Sequence, residues 1–221
     1  MRVLITSGGS REPIDDVRYL GNSASGRTGA WLSEELVRRF HTVHLLSGVA
    51  SILPETWANE TGLLSAETYG SASDLLARCQ ELTKRYTFDA ILFAAAVADF
   101  SPVPVKGKLS SKAEELVLHL RPTPKVVDAV ARWSPDAILV TFKLESVDTR
   151  VQLVERALAS MARVGSDWVV ANFAAGMGTT QHGAFIVYPS GESSEVSGRK
   201  ELVETLVDLL EQENERRRGS K

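Results

Sequence analysis

Apolar and polar positions change rhythm repeatedly along the chain, and each change marks an element. Arg2 to Thr6 is a short apolar run that stops at Ser-Gly-Gly, the pattern of a buried strand meeting a turn. A polar loop through Arg11, Asp15 and Arg18 leads to GNSASGRTG, after which Leu32, Leu36, Val37 and Phe40 recur at the spacing of an amphipathic helix. Thr42 to Ser47 reads as a second strand and Asp74 to Tyr86 as a helix. Ala90 to Ala98 is a continuous apolar strand, as expected where both faces are covered. The spacing then predicts a helix over Val126 to Trp133, a strand over Ile138 to Phe142, and a helix over Thr149 to Val164. A strand over Trp168 to Ala171 and a closing helix over Arg199 to Glu213 complete the series. Strands alternating with helices predict an α/β fold: a Rossmann-like, mostly parallel sheet with helices on both faces.

Two stretches break the alternation. Leu109 to Leu120 contains the period-2 run ELVLHL between prolines and reads as a strand or hairpin arm. Ala184 to Val196 reads as a hairpin with Pro-Ser-Gly at its turn. No repeat, low-complexity linker or domain boundary is evident. The expectation is one domain over residues 1–221 with an inserted β arm or flap at about 101–123.

Composition narrows the function classes. A net charge of −3 gives no basic surface for a phosphate backbone, so nucleic acid is not expected as a partner. The run Arg216, Arg217, Arg218 reads as a frayed, solvated tail. A single cysteine, Cys79, excludes an intramolecular disulfide and suits a reducing compartment, and its helical surroundings supply nothing that would make it a thiolate. The amino end enters a strand without a signal-peptide pattern, and no segment reaches the ~18 apolar residues of a membrane span. A soluble, cytoplasmic protein is expected.

Four segments carry candidate chemistry, each with a plainer alternative. Gly8 and Gly9 follow the first strand, where open α/β sheets bind ligands, and the glycines of GNSASGRTG precede a helix whose amide groups could hold phosphate. A tight entry turn would use the same residues. Gly21 to Thr28 is close to a P-loop, but Arg27 stands where lysine is needed and the loop starts well after the strand. AAAVADF leaves room for a ring or sugar to pack on backbone, and Asp99 just beyond it could hold a ribose, a base or magnesium, or merely cap a turn. VKGKLSSK brings Lys106, Lys108 and Lys112 together, as a loop neutralising a triphosphate would, or as a solvated charge run would. DWVVANF followed by AAGMGTTQHGAF sets Asn172 at a strand end, with His182 in the loop after it. His41 and His44, three apart on a predicted strand, fall on opposite faces and make no metal pair. No Ser/His/Asp or Cys/His arrangement for a protein nucleophile is evident. A nicotinamide-dependent reductase lacks its tyrosine and lysine, since none of Tyr19, Tyr69, Tyr86 or Tyr188 has lysine four residues on.

Taken in order, ITSGGSREPIDDVRYLGNSASGRTG, AAAVADF, KLSS, TFKLE and VVAN resemble the phosphopantothenate–cysteine ligase family of coenzyme A biosynthesis over essentially the whole chain. The resemblance implies that the carboxylate of 4′-phosphopantothenate is activated by CTP or ATP with Mg2+, and that cysteine attacks the acyl-nucleotidylate. It implies catalytic roles for Asn22, Lys108 and Arg18. It implies nucleotide contacts from Gly8, Gly9, Ser25, Gly26, Ala95, Asp99, Pro124, Lys125, Val126, Val127 and Phe142, and substrate contacts from Asn22, Ala95, Ala96 and Asn172. A homodimer with the arm at its interface is also implied, as is a stand-alone synthetase without a flavin-dependent half. A nucleotide-binding regulatory protein of the same fold is the alternative, against which the joint retention of Arg18, Asn22, Asp99 and Lys108 speaks. The chain departs from the family pattern at Gly21, Ala24 and Phe173, and at Ser160 and Val164, where CTP-using bacterial members carry lysines. With Lys143 of TFKLE closer to ATP-using members, the choice of nucleotide stays open.

Overall fold

The computed structural model describes residues 1–110, 115–175 and 183–219. The first apolar run is β1 (Arg2–Ser7), and the polar loop after it folds back as a hairpin, β2 (Arg11–Pro13) against β3 (Tyr19–Gly21). The chain then enters α1 (Arg27–Arg38), β4 (Thr42–Gly48), the five-residue α2 (Thr56–Glu60), β5 (Leu64–Tyr69) and α3 (Ala72–Arg85). The second half runs β6 (Ala90–Phe93), β7 (Phe100–Pro102), β8 (Leu120–Pro122), α4 (Val126–Trp133) and β9 (Ile138–Glu145). It closes with α5 (Arg150–Val164), β10 (Trp168–Phe173), β11 (Ala184–Val187), β12 (Ser193–Val196) and α6 (Arg199–Gly219).

The eight-stranded sheet has the order β12-β11-β10-β9-β6-β1-β4-β5. From β5 to β10 every neighbour is parallel; β11 and β12 add an antiparallel edge. Alternate side chains of each strand enter opposite layers. Val3, Ile5, Leu45, Leu92 and Val140 pack with Leu32, Leu36 and Val37 of α1 and with Leu206 and Leu210 of α6. Leu4, Leu46, Ile91 and Leu139 pack with Leu75 and Cys79 of α3 and Val130 of α4, while α5 covers Val169 and Ala171 beside them. Burying each such side chain on both faces stabilises the sheet by roughly 1.5–3 kcal/mol per residue, and explains why these strands read as unbroken apolar runs. Cys79 belongs to this interior, and burial pushes its thiol up to about 12, as its structural reading requires.

The mostly parallel α/β architecture agrees with the sequence, and several details differ. Phe40 is not on the apolar face of α1; the helix ends at Arg38 and Phe40 is 86% exposed with φ of 62°. Regular pairing on β6 ends at Phe93, not Ala98, where β1 enters the left-handed turn at Gly8; beyond it a single bridge, Gly9 to Ala96, continues the contact. The predicted arm is present as an antiparallel pair at its base, Phe100–Pro102 against Leu120–Pro122; of the expected strand Leu109 to Leu120 only Leu120 is in it among the described residues. His41 precedes β4 and bonds the amino-terminal nitrogen at 3.1 Å, while His44 packs on Tyr86, so the two rings do part. The arginines at 216–218 are helical, not frayed: Arg217 pairs with Asp167, and Arg218 with Asp89 at 3.1 Å. Those two carboxylates also accept the Leu139 and Arg2 amides at the starts of β9 and β1. Opposite charges planted on the sheet's edge thus continue the helix beyond its apolar face.

Candidate active site

At the carboxyl edge of the sheet, β1 leads to α1 in one layer and β6 leads towards α4 in the other. Such a reversal opens a crevice where ligands bind. Backbone bonds continue across it after the strands end: the Ala94 amide donates to Thr6 O at 2.9 Å, Ala96 to Gly8 O at 2.8 Å, and Ser10 to Ala96 O at 3.1 Å. Gly8 has φ of 78°, a left-handed conformation that glycine adopts without strain. The buried Tyr69 hydroxyl lies 3.0 Å from both the Ser7 and Gly8 carbonyls and steadies the turn from below. Gly9 lies directly under the chain at Asn22: a Cβ there would stand 2.5 Å from the Asn22 carbonyl oxygen. The Asn22 side-chain amide donates to Ala96 O at 3.0 Å.

Two clefts lie along this line. The first, over the glycine turn, is lined by Gly9, Arg11, Tyr19, Gly21, Asn22, Ser25 and Ser51 among others. Gly8 and Gly26 lie behind it with Ser51 packed against both. The amino end of α1 begins at Gly26, which has no side chain to cap it; the Arg27 amide makes a long bond to Ser25 Oγ at 3.5 Å.

The second cleft lies between the ends of β6 and β9 and the helices α4 and α5. Ala95, Asp99, Pro124, Lys125, Val126, Val127 and Phe142 line it together, along with Lys143, Ser160, Arg163 and Val164. Thr123 fixes its floor, its amide donating to Asp99 O at 2.9 Å and its hydroxyl to Ala98 O at 2.5 Å. At the rim Lys125 Nζ stands 2.5 Å from Asp99 Oδ1, in a pair exposed on both sides. Arg163, also on the lining, pairs with Asp128 at 2.7 Å. Asn22, on the first cleft, bonds the carbonyl of Ala96, and the neighbouring Ala95 lines the second cleft.

Arg18 is not free over either cleft. Its Nε and Nη2 bond Asp15 Oδ2 at 3.0 and 2.5 Å, and Nη2 also donates to Leu109 O at 3.0 Å. The guanidinium holds the Asp15 carboxyl well below the usual carboxylate range. Leu109 and Gly107, on either side of Lys108, are therefore fastened to the β2–β3 hairpin. Asn172 lines neither cleft among the described residues; its side chain donates to Gly183 O at 3.3 Å. Lys112 and His182 lie outside the described residues.

Asp15, Tyr69, Thr123 and Ser51 carry the site's scaffolding and were not singled out as site residues by sequence. Only Asp15 had a readable signal: in Asp-Asp-Val-Arg its Oδ1 accepts the Val17 and Arg18 amides at 2.9 and 2.7 Å, the Asx turn that such short acidic runs favour. Tyr69, Thr123 and Ser51 act through distant backbone, which no local pattern encodes.

Comparison with known proteins agrees with this geometry. Residues 1–213 match the family described as DNA/pantothenate metabolism flavoprotein C-terminal domain. The Coenzyme A biosynthesis bifunctional protein CoaBC of Thermococcus kodakarensis is 33% identical over 214 residues, covering 95% of this chain and 51% of that protein. The chain therefore spans about half the length of that bifunctional relative. Human phosphopantothenate–cysteine ligase is 28% identical, with 95% of this chain and 85% of that protein covered. The crystal structure of a DNA/pantothenate metabolism flavoprotein from Streptococcus pneumoniae superposes with a TM-score of 0.86 at 28% identity, over 96% of this chain and 99% of that one. A chain matched over residues 1–213, with a switch-point site of this form, belongs to the DNA/pantothenate metabolism flavoprotein C-terminal domain family.

Proposed function

We propose that the chain joins 4′-phosphopantothenate to cysteine at the expense of a nucleoside triphosphate, as a phosphopantothenate–cysteine ligase. The observation that supports this most is the placing of Asn22, on the first cleft, against Ala96 O, one residue from Ala95 on the lining of the second cleft with Asp99 and Lys125. A ligase of this kind must bring a carboxylate and an α-phosphorus into line, and a site with a cleft on each side of the Asn22–Ala96 bond can do so by positioning, without a protein nucleophile. In the first step a carboxylate oxygen of 4′-phosphopantothenate attacks the α-phosphorus and pyrophosphate leaves. In the second the cysteine amine attacks the acyl carbon, the acyl C–O bond breaks, and the nucleoside monophosphate departs with that oxygen.

Asn22 is the candidate to orient the acyl group, its side-chain amide held towards Ala96. The Asp99–Lys125 pair is exposed on both sides, and exposed pairs are worth only about 0.2–1 kcal/mol, so Lys125 can turn to a phosphate at little cost. Lys108, on its fastened segment, is the candidate to neutralise charge as pyrophosphate departs. Asn172, by resemblance a substrate contact, would act from the edge of the site.

Among the described residues no group of three His, Cys, Asp or Glu side chains gathers to hold a metal. The single carboxylate Asp99 fits an ion that arrives on phosphate oxygens and takes one protein ligand. Magnesium bound in that way would offset the triphosphate charge.

The nucleotide is CTP or ATP. Ser160 and Val164 line the second cleft where CTP-using relatives of the motif carry lysines, and Lys143 stands beside them, which favours ATP. Val17, Tyr19, Phe100, Val103 and Leu120, on or beside the two small hairpins, are apolar and largely exposed, which supports a homodimer with the 101–123 segment at its interface. Among the described residues no helix is long and apolar enough to cross a membrane.

Pyrophosphate release tests the reading. With magnesium, 4′-phosphopantothenate, cysteine and either nucleotide, release should require 4′-phosphopantothenate and continue to full turnover only with cysteine. No release with either nucleotide contradicts it.

A further inference from the structure

The segment that carries Lys108 has almost no apolar anchorage. Val103 and Val105 before it are 52% and 46% exposed. What holds it is polar and comes from one short stretch of chain. The Val105 amide donates to Ile14 O at 3.0 Å, the Gly107 amide to Asp16 Oδ2 at 3.0 Å, and the Leu109 amide to Asp15 Oδ2 at 3.0 Å. Arg18 closes the arrangement by donating to Leu109 O at 3.0 Å while its guanidinium bonds Asp15. The Asp15 side chain has no exposed surface, and five donors meet its two oxygens: the Val17, Arg18 and Leu109 amides and two guanidinium nitrogens. A carboxylate taken out of water is tolerated only when so paired and bonded, and losing one partner leaves the rest unsatisfied. The segment therefore has one seat on the hairpin, and the backbone on both sides of Lys108 is fixed by it.

We propose that Asp15 is a positioning residue for nucleotide activation, holding the backbone of Lys108, through Arg18, Asp16, Gly107 and Leu109, on the hairpin whose Arg11, Tyr19 and Gly21 line the first cleft. Arg18, which the resemblance marks as catalytic, then acts by the same route and not by touching the reacting atoms. A lysine side chain is long and flexible, so an anchored Cα on each side of which an amide is tied confines its ammonium group far more than the side chain could by itself. This role rests on the ligase reading.

Non-additivity separates positioning from general support. Asp15→Asn, Lys108→Gln and the double variant are compared in single-turnover pyrophosphate release, with hydrogen exchange followed at the Gly107 and Leu109 amides. Asp15→Asn should speed exchange at Leu109 and slow pyrophosphate release by ~10–100-fold, the range usual for a misplaced group. KM for cysteine should stay unchanged, and the double variant should be no slower than Lys108→Gln alone. Should Asp15→Asn fail to fold, the exposed Asp16→Ala removes the side-chain acceptor of the Gly107 amide and leaves the backbone bond from the Asp16 amide to Gly107 O, and a smaller loss, again absent in the Lys108→Gln background, is expected. Additive losses, or faster exchange with wild-type release, overturn the proposal. A wild-type chain that releases no pyrophosphate removes the ligase reading and this role together, whereas an active wild type with additive variants removes the role alone.

Discussion

Asp99 Oδ1 and Lys125 Nζ stand 2.5 Å apart at the rim of the second cleft, one at the end of the chain leaving β6 and the other at the amino end of α4. Each is more than half exposed, so the pair does little for the fold. Lys125→Met should therefore leave stability within about 0.5 kcal/mol of wild type, as surface changes do. If Lys125 meets the nucleotide, KM for the triphosphate should rise ~10-fold or more, the loss of one charge-assisted bond. Urea melts and initial rates against nucleotide concentration check both halves.

Gly9 makes a second test because its restriction is purely spatial. Gly9→Ala would set a methyl group 2.5 Å from the Asn22 carbonyl, against backbone that cannot swing aside. Overpacking of this kind costs about 1–3 kcal/mol. The chain should melt lower, and the shift of Asn22 from Ala96 should lower kcat more than it raises the nucleotide KM. A variant equal to wild type in both would mean that the contact at Asn22 does not position the acyl group.

Much of this was legible in the sequence because its causes are local. Val3, Ile5 and Leu4 alternate on a strand covered on both faces, so β1 announces itself. The glycine turn, Asn22, Asp99 and Lys125 are close in sequence to the strand and helix ends that carry them. β5 was hidden by its own composition: Leu64–Tyr69 is an edge strand whose four central residues are exposed, leaving no apolar run to read. The arm was legible only at its base: within ELVLHL, Leu120 alone finds a partner strand among the described residues, pairing with Pro102. Asp15, Tyr69 and Thr123 were missed because their partners, Leu109, Gly8 and Ala98, are decided by topology.

The far end of α6 gives a pH prediction. Arg216 and Arg217, bonded to Glu213 at 2.7 Å, hold its carboxyl at about 2 against an ordinary 4.5. A depressed carboxylate contributes stability above its unfolded pKa and loses it as pH falls through the folded value, here between about 4.5 and 2. Solvent screening at the exposed Arg216 reduces the contribution to the order of 1 kcal/mol. Glu213→Gln should lower Tm by about 2–4 °C at pH 7. The difference from wild type should shrink steadily below pH 4.5.

Nucleotide choice is tested at Ser160, which lines the second cleft one helical turn before Val164. Ser160→Lys adds a donor where the cleft now has a hydroxyl. The ratio of kcat/KM for CTP to that for ATP should rise ~10-fold, the effect of one new bond to a charged donor. An unchanged ratio, with activity retained, would place the base away from α5.

The central claim concerns one oxygen atom. With both carboxylate oxygens of 4′-phosphopantothenate labelled with 18O, an acyl-nucleotidylate route leaves one label in the nucleoside monophosphate and one in the amide product. Mass spectrometry of the products after turnover reads this directly. A single 18O in the monophosphate is the predicted result; label in pyrophosphate or orthophosphate, or none in any phosphate product, contradicts the account.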